Sequence, residues 1–327
     1  MSCLSRAWLS GFIWLPSTVL TGAGCSSTNL PEWTVPAENR GAPGRWAMVR
    51  AGYRATCGVD QATRPPTLRC WGFDVDGQPI ARVFPAEGYP LTKGMPRAVE
   101  VGAEHMCLLE ADGVARCWGY GGVIQVDAGP WTDLNLDSVA HPELGVCTLD
   151  ELHQPRCWGA GLWRSALDVP ERALRAISLD RSYACGISPQ DELFCWGFPM
   201  HSADARALSP PEPYATQVDV DTTMVCIRTP DKRGVCWGEI EENPWTIGHD
   251  VAEIAVSTYA VCVIHTDGRL RCEQLERWTR RAAPVVEEAP RISKLHELSC
   301  GSHHCCATTA RNVALCWGAR GSANFPD

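Results

Sequence analysis

Cys107-Leu-Leu-Glu-Ala-Asp-Gly-Val-Ala-Arg-Cys117-Trp118-Gly119 recurs, altered, seven times in this chain. The cysteines fall in pairs: Cys57/Cys70, Cys107/Cys117, Cys147/Cys157, Cys185/Cys195, Cys226/Cys236, Cys262/Cys272 and Cys306/Cys316. Six of these pairs are ten residues apart and the first is thirteen, so the spacing belongs to a repeated unit. Trp-Gly follows the second cysteine in six of the seven.

The phrase reads as a β-hairpin. Asp112-Gly113 is a strong turn signal, because glycine accepts the positive φ of a tight hairpin. Asp267-Gly268 marks the same place in the sixth copy. With Ala111, Asp112 and Gly113 as a three-residue loop, Glu110 faces Val114, and counting outward sets Cys107 opposite Cys117. Cross-strand neighbours lie roughly 4.5–5.5 Å apart, and the shorter spacing suits a disulfide. The wider gap of the first copy holds Gln61-Ala-Thr-Arg-Pro-Pro66, a longer turn. Side chains alternate along a strand, so each tryptophan points away from its neighbouring cysteine. The tryptophans read as packing and the cysteines as staples.

Composition narrows the class. The chain has 327 residues, 20% of them charged and 8% aromatic, which indicates a globular protein with a sizeable core. Its net charge is −9. Removing residues 1–24 takes away Arg6 and no acid, giving −10. An acidic chain without a long basic run argues against nucleic acid as a partner. Eighteen cysteines in regular pairs point to an oxidising compartment. Zinc is the rival reading, but zinc sites usually show Cys-x-x-Cys or Cys/His clusters, and no Cys-x-x-Cys occurs.

The amino terminus reads as an export signal over residues 1–24. Arg6 supplies the positive start, Ala7 to Leu20 is largely apolar, and Thr21-Gly22-Ala23-Gly24 is small. The apolar stretch is short and broken by Ser10, Gly11 and Pro16, which disfavours a membrane span. Cys25 stands directly after the small residues, as in the lipobox of bacterial lipoproteins, where it would be acylated; Gly22 replaces the usual leucine. Plain secretion is the alternative. Ser26 after the cysteine favours the outer membrane. Residues 25–45, with three prolines and Gly41-Ala-Pro-Gly44, read as a tether.

The remainder, 46–327, carries the repeats. Successive first cysteines are 50, 40, 38, 41, 36 and 44 residues apart, and a period near 40 means a solenoid, an array or a propeller. A short apolar run precedes each hairpin, for example Ala98-Val-Glu-Val or Ile254-Ala-Val, and a variable, Pro-rich stretch follows it. Three clear strands and a weak fourth per repeat fit a four-stranded blade.

The sequence resembles the regulator of chromosome condensation repeat family. Gly102-Ala-Glu-His105, Asp112-Gly113-Val114 and Trp118-Gly119 follow that family's phrase, and Trp71-Gly-Phe-Asp74-Val-Asp-Gly77-Gln78 follows its tail. Most copies lack the Gly-Gln tail, only His105 and His304 keep the histidine, and copy six ends Cys272-Glu273-Gln274. The resemblance implies an all-β, seven-bladed β-propeller, and the paired cysteines are similar to exported bacterial members. The family's nuclear activity, nucleotide exchange on a small GTPase with chromatin binding, conflicts with export, acidity and disulfides. The chain ends ten residues after Trp317, so an amino-terminal segment, Leu30 to Val35, is expected to complete the last blade.

Cys300 and Cys305 fall outside the scheme. They bridge each other, join His303-His304-Cys305-Cys306 in a metal site, or stay free; too few obvious ligands are left for a metal. No nucleophile elbow, His-Glu-x-x-His helix or phosphate-cradling loop occurs. Trp131, Trp163, Trp245 and Trp278 lie outside the Trp-Gly phrase, in the variable stretches. They are the candidate contact residues, with half of them expected to pack between blades.

The reading is an exported, lipid-anchored, monomeric bacterial propeller. It binds an envelope or extracellular protein, has no cofactor, metal or catalytic residue, and meets the membrane only through its anchor. A propeller lyase or hydrolase acting on polysaccharide is the second class, and a His, Tyr or carboxylate cluster at the central channel would favour it. A structural envelope component is the third.

Overall fold

The computed structural model describes residues 44–74, 76–103, 105–119, 122–125, 129–136, 145–158, 169–179, 183–197, 210–221, 224–238, 244–258, 260–274 and 295–318. Residues 1–43, with the export signal, Cys25 and Leu30 to Val35, lie outside this set, as do Trp163 and Trp278. Among the described residues no helix is long and apolar enough to cross a membrane.

Seven antiparallel sheets follow one another along the chain. Sheet one holds β1 (Trp46–Ala51), β2 (Ala55–Asp60), β3 (Thr67–Gly72) and β4 (Tyr89–Pro90). Sheet two holds β5 (Ala98–Val101), β6 (Met106–Leu109), β7 (Ala115–Gly119) and β8 (Gly122–Gln125). Sheet three holds β9 (Asp133–Leu136), β10 (Val146–Leu149) and β11 (Pro155–Trp158), and sheet four β12 (Ala176–Leu179), β13 (Tyr183–Ile187) and β14 (Leu193–Gly197). Sheet five holds β15 (Gln217–Asp221), β16 (Met224–Arg228), β17 (Gly234–Gly238) and β18 (Trp245–Gly248). Sheet six holds β19 (Val251–Ser257), β20 (Ala260–His265) and β21 (Leu270–Gln274), and sheet seven β22 (Leu295–Cys300), β23 (His304–Thr309) and β24 (Ala314–Gly318). Among the described residues, three strands in every sheet and a fourth in three of them match the strand pattern of the repeats.

The apolar run ahead of each hairpin is the first strand of its sheet. These first strands touch in a closed series: β1 to β5, β9, β12, β15, β19, β22 and back to β1. The sheets therefore form a ring with their first strands innermost.

The hairpins have the register the turn chemistry requires. In all seven the two cysteines face each other, as in Cys107 opposite Cys117 and Cys57 opposite Cys70. The Glu110 N–H donates to the Val114 carbonyl at 2.8 Å, closing the three-residue loop in which Gly113 has φ 85°. The seven repeated pairs are disulfides: Cys57–Cys70, Cys107–Cys117, Cys147–Cys157, Cys185–Cys195, Cys226–Cys236, Cys262–Cys272 and Cys306–Cys316. Cys300 bridges Cys305 as an eighth. Each of these bridges closes within one sheet.

Identical spacing suggests identical staples, and here the structure differs. The first cysteine of every repeated pair is fully buried, because it stands on the middle strand of its hairpin unit, covered by a strand on either side. The second stands one strand further from the ring's centre. Cys117, Cys236, Cys272 and Cys316 are still buried there, whereas Cys70, Cys157 and Cys195 are only half-buried. Cys157 and Cys195 lie on β11 and β14, the outermost described strands of sheets three and four. Cys157 packs at the edge of the cluster between those two sheets, and Cys195 at the edge of the cluster between sheets four and five.

The core is divided among the seams. Seven clusters of buried residues lie one at each junction of neighbouring sheets, including the junction of the seventh with the first, where Trp46, Val49 and Trp71 meet Cys306, Ala314 and Cys316. Alternation along the strand decides which residue enters which seam. Trp118 packs toward sheet one, Trp237 toward sheet four and Trp317 toward sheet six. The cystines on the opposite face pack toward the following sheet, as Cys107 and Cys117 do toward sheet three. Sheet six has Glu273 where its tryptophan would be, and valines and isoleucines of β19 and β20 fill that seam.

Candidate functional site at the central channel

A cavity of about 160 Å³ runs between the innermost strands, and all seven sheets contribute to its lining. One position of each innermost strand pairs with the first cysteine of its sheet's hairpin. That position holds Arg50, Glu100, Asn135, Ser178, Asp219, Ala255 and Ser299 in turn. Directly opposed residues share a face, so each of these side chains turns toward the next sheet, as the cystine does.

What they do there follows from an unmet need. An innermost strand has one edge without a strand partner, and its N–H groups must be satisfied. Asn135 Oδ1 accepts the Leu179 N–H at 3.0 Å, and Ser178 Oγ accepts the Val220 N–H at 3.0 Å. Asp219 Oδ2 accepts from Val256 at 2.7 Å, and Ser299 Oγ accepts from Ala51 at 3.0 Å. Two residues earlier along the strand, Gln217 exchanges two hydrogen bonds with the Ile254 backbone. Glu253 takes the N–H groups of Glu297 and Leu298 at 2.9 and 2.7 Å. A belt of side chain to backbone bonds thus crosses five of the seven seams, each running from one sheet to the following one.

The belt is interrupted at Arg50 and Glu100. A guanidinium has no lone pair to offer an N–H; Arg50 donates to its own neighbour Val49 at 3.1 Å and lies 3.9 Å from Glu297. Glu100 carries no hydrogen bond among the described residues. Burial pushes its carboxyl up to about 8, with Arg50 working the other way and Asp133 and Asp219 adding repulsion. Burial likewise lifts Asp219 to about 7 and Asp133 to about 6, against the backbone N–H groups that hold them. Among the described residues the channel is lined by the carboxyls of Glu100, Asp219 and Asp221 and by one cation, Arg50.

The seam between sheets seven and one is tied further by the two histidines of the last repeat. His304 is fully buried with Nε2 2.6 Å from Thr56 Oγ1, and burial lowers it to about 3. His303 Nδ1 donates to the Tyr53 carbonyl at 3.1 Å. His303-His304-Cys305-Cys306 does not converge on one point: both cysteines are bridged, to different partners.

Of the candidate tryptophans, Trp131 is buried against Cys107, Cys117 and Leu134 at the seam of sheets two and three. Its backbone carbonyl accepts from Arg97 at 2.8 Å. It is a packing residue. Trp245 is half-buried at the start of β18, opposite Cys236 on the outer side of sheet five.

Sequence reasoning missed the belt, although a signal was present. In six repeats the residue concerned stands seven positions before the first cysteine, and five of those six are polar or charged. In the third repeat the step is twelve, which hides Asn135.

No protein-family model and no curated protein matches the chain. Solved structures do. The CRINKLY WD40 ectodomain of the Arabidopsis thaliana receptor kinase ACR4 is 19% identical, with a TM-score of 0.62 over 85% of this chain and 97% of that one. This likeness and the closed series of seven sheets decide the architecture. The chain is a seven-bladed β-propeller. The ectodomain of the Physcomitrella patens receptor kinase CR4 matches at 16% identity and TM-score 0.58, over 83% of this propeller and 72% of that chain. Human WBSCR16 matches at 12% and 0.58, over 84% and 86%. At these identities the likeness carries fold. The propeller is the architecture that the repeat resemblance implied, here with a disulfide in every blade.

Proposed function

We propose that the chain is an exported propeller that binds another protein at the bacterial envelope, held there by a lipid on Cys25. The observation that carries this reading is the use of the channel. Most of its polar side chains are engaged in joining blades, so the rigid ring serves as a scaffold for the variable stretches between hairpins. Rigid scaffolds with aromatic loop residues are a common basis for protein recognition. Eight disulfides support an oxidising location. Two of the similar structures are receptor-kinase ectodomains, which supports a place outside the cell. With Trp131 in the core, Trp163, Trp245 and Trp278 remain as proposed anchors.

The test is capture from detergent-solubilised envelope on the immobilised chain from residue 25, with Cys25→Ser. The expected result is one dominant protein, retained by the oxidised chain, lost after reduction, and weakened about tenfold or more by Trp245→Ala, the loss typical of an interface anchor. Retention of nothing, or equal retention by Trp245→Ala, removes the reading or its anchor.

One observation favours the enzyme class. Glu100 is a carboxyl without a hydrogen bond among the described residues, held near neutrality beside Arg50, and perturbed carboxyls in cavities often mark catalysis. Polysaccharide turnover abolished by Glu100→Gln would establish a propeller lyase or hydrolase; its absence across a broad panel leaves the binding module.

A further inference from the structure

The repeated cystines obey one rule: they face the following blade. Cys305 breaks it. It precedes Cys306, and successive strand residues point to opposite faces, so Cys305 turns back toward the sixth blade. The cystine of the sixth blade faces forward into the same seam. Cys305 Sγ consequently lies 3.8 Å from Cys262 Sγ. The sulfurs of Cys262, Cys300 and Cys305 are all within 4.8 Å of one another, the one such group of three cysteines among the described residues.

Access to these sulfurs is unequal. Cys262 and Cys305 are fully buried, whereas Cys300 is half-buried and lines the central cavity. A thiolate arriving through the channel meets Cys300 first. The sulfur it expels is then Cys305, already in contact with a second disulfide.

We propose that Cys300–Cys305 and Cys262–Cys272 form a thiol–disulfide exchange relay, entered from the channel at Cys300, that moves a staple from inside a blade to the seam between the sixth and seventh blades. A low-molecular-weight thiol, as thiolate, attacks Cys300 Sγ. The Cys300–Cys305 bond breaks, a mixed disulfide forms on Cys300, and Cys305 leaves as thiolate. Cys305 attacks Cys262 Sγ. The Cys262–Cys305 bond forms, the Cys262–Cys272 bond breaks, and Cys272 carries away the electron pair and takes up a proton. The number of disulfides is unchanged, and the entering thiol is the one co-reactant. Exchange between sulfurs depends on thiolate character and access, and contact within the protein supplies the second.

The outcome differs from simple reduction. Blades six and seven, otherwise joined by packing and by Glu253, become covalently linked, while the sixth blade loses its internal staple.

The test uses the full chain. Cys300→Ser leaves Cys305 with a thiol and no partner of its own. After incubation in mildly alkaline buffer, acid quench and alkylation in denaturant, peptides are mapped without reduction. Expected are a Cys262–Cys305 cross-link and label shifted from Cys305 to Cys272. Label confined to Cys305, with Cys262–Cys272 intact, overturns the relay. Should this variant fail to fold, the wild-type chain exposed to limiting glutathione gives the same reading. Glutathione on Cys300 together with the Cys262–Cys305 cross-link supports the relay. Glutathione on Cys300 with Cys262–Cys272 intact, or no glutathione on Cys300, refutes it.

Discussion

Gly301 has no room for a side chain. A Cβ built there would lie 1.8 Å from the Gly52 carbonyl oxygen, on the first blade. Its own N–H donates to the His304 carbonyl at 2.9 Å, as Gly102 does to His105 at 2.8 Å, which is the physical content of the Gly-x-x-His phrase. The approach of Gly301 to Gly52 cannot widen without parting the last blade from the first. Gly301→Ala is expected to cost about 1–3 kcal/mol or more by overpacking, lowering Tm by about 2–4 °C for each kcal/mol in a chain of this size. An unchanged melting curve would show that the two backbones are free to separate. Glu100 presents the opposite case, a side chain that lines the cavity and carries no hydrogen bond among the described residues. Its folded value of about 8 stands above the ordinary 4.5. Between those values the folded chain keeps a proton that the unfolded chain releases, so stability falls as pH rises through the window. Glu100→Gln should raise Tm by on the order of 5 °C at about pH 9 and leave it unchanged at about pH 4; equal gains at both would refute the burial argument. His304 acts in the other sense. Its lowered value means that acid charges the unfolded chain first, weakening the seam as pH falls below the usual imidazole range.

At the scale of the element, the hairpins were legible and the belt was not. Turn chemistry at Asp112-Gly113 sets the pairing of Cys107 with Cys117 by counting alone, and the same count works in the other five repeats with ten-residue spacing. The tryptophan and cystine faces also follow from alternation, because a two-residue period needs no knowledge of neighbours. The depth of each staple was hidden, since Cys157 and Cys195 share the ten-residue spacing of fully buried pairs and are nevertheless half-buried. Asp219 and Glu253, likewise, are acidic residues on otherwise largely apolar strands. Their role depends on the N–H groups of the following blade, which sequence proximity does not reveal. Trp131 was ambiguous for the same reason: a loop tryptophan becomes a core residue once the seam beneath it is seen. Glu253 offers a measurable case, since it satisfies two donors at once. Glu253→Ala should destabilise the chain by about 2 kcal/mol, the lower range for two orphaned N–H groups. Glu253→Gln, which keeps one carbonyl oxygen, should lie between it and wild type in denaturant unfolding. A glutamine variant as weak as alanine would place the effect on charge rather than on hydrogen bonding.

At the scale of the whole molecule, stability has two separate sources. Each staple acts inside one blade, and a ring of ten residues contributes at most roughly 3 kcal/mol in the chain-entropy model. Seams are held by packing and the belt. Full reduction is therefore expected to lower Tm and to speed proteolysis within every blade; unchanged melting in reductant would mean that packing alone suffices. Closure is a different matter. Gly44 and Trp46 donate to the carbonyls of Arg311 and Asn312, so the chain enters its first strand alongside the last hairpin. The expectation that Leu30 to Val35 completes the last sheet is tested by deleting residues 26–43, with a fall in Tm of about 5 °C expected and no change refuting it.

The belt also has a direction. Each of its bonds runs from one blade to the next in chain order, including the bond from Ser299 of the last blade to Ala51 of the first. The seams from the first blade to the second and from the second to the third lack such a tie among the described residues, and every disulfide closes inside its own blade, so none depends on which blade comes first. With a linker from Gly318 back to Gly44 and new termini opened between other blades, every tie would keep its partner. Such a circular permutant would hold the same propeller in a different reading frame of blades.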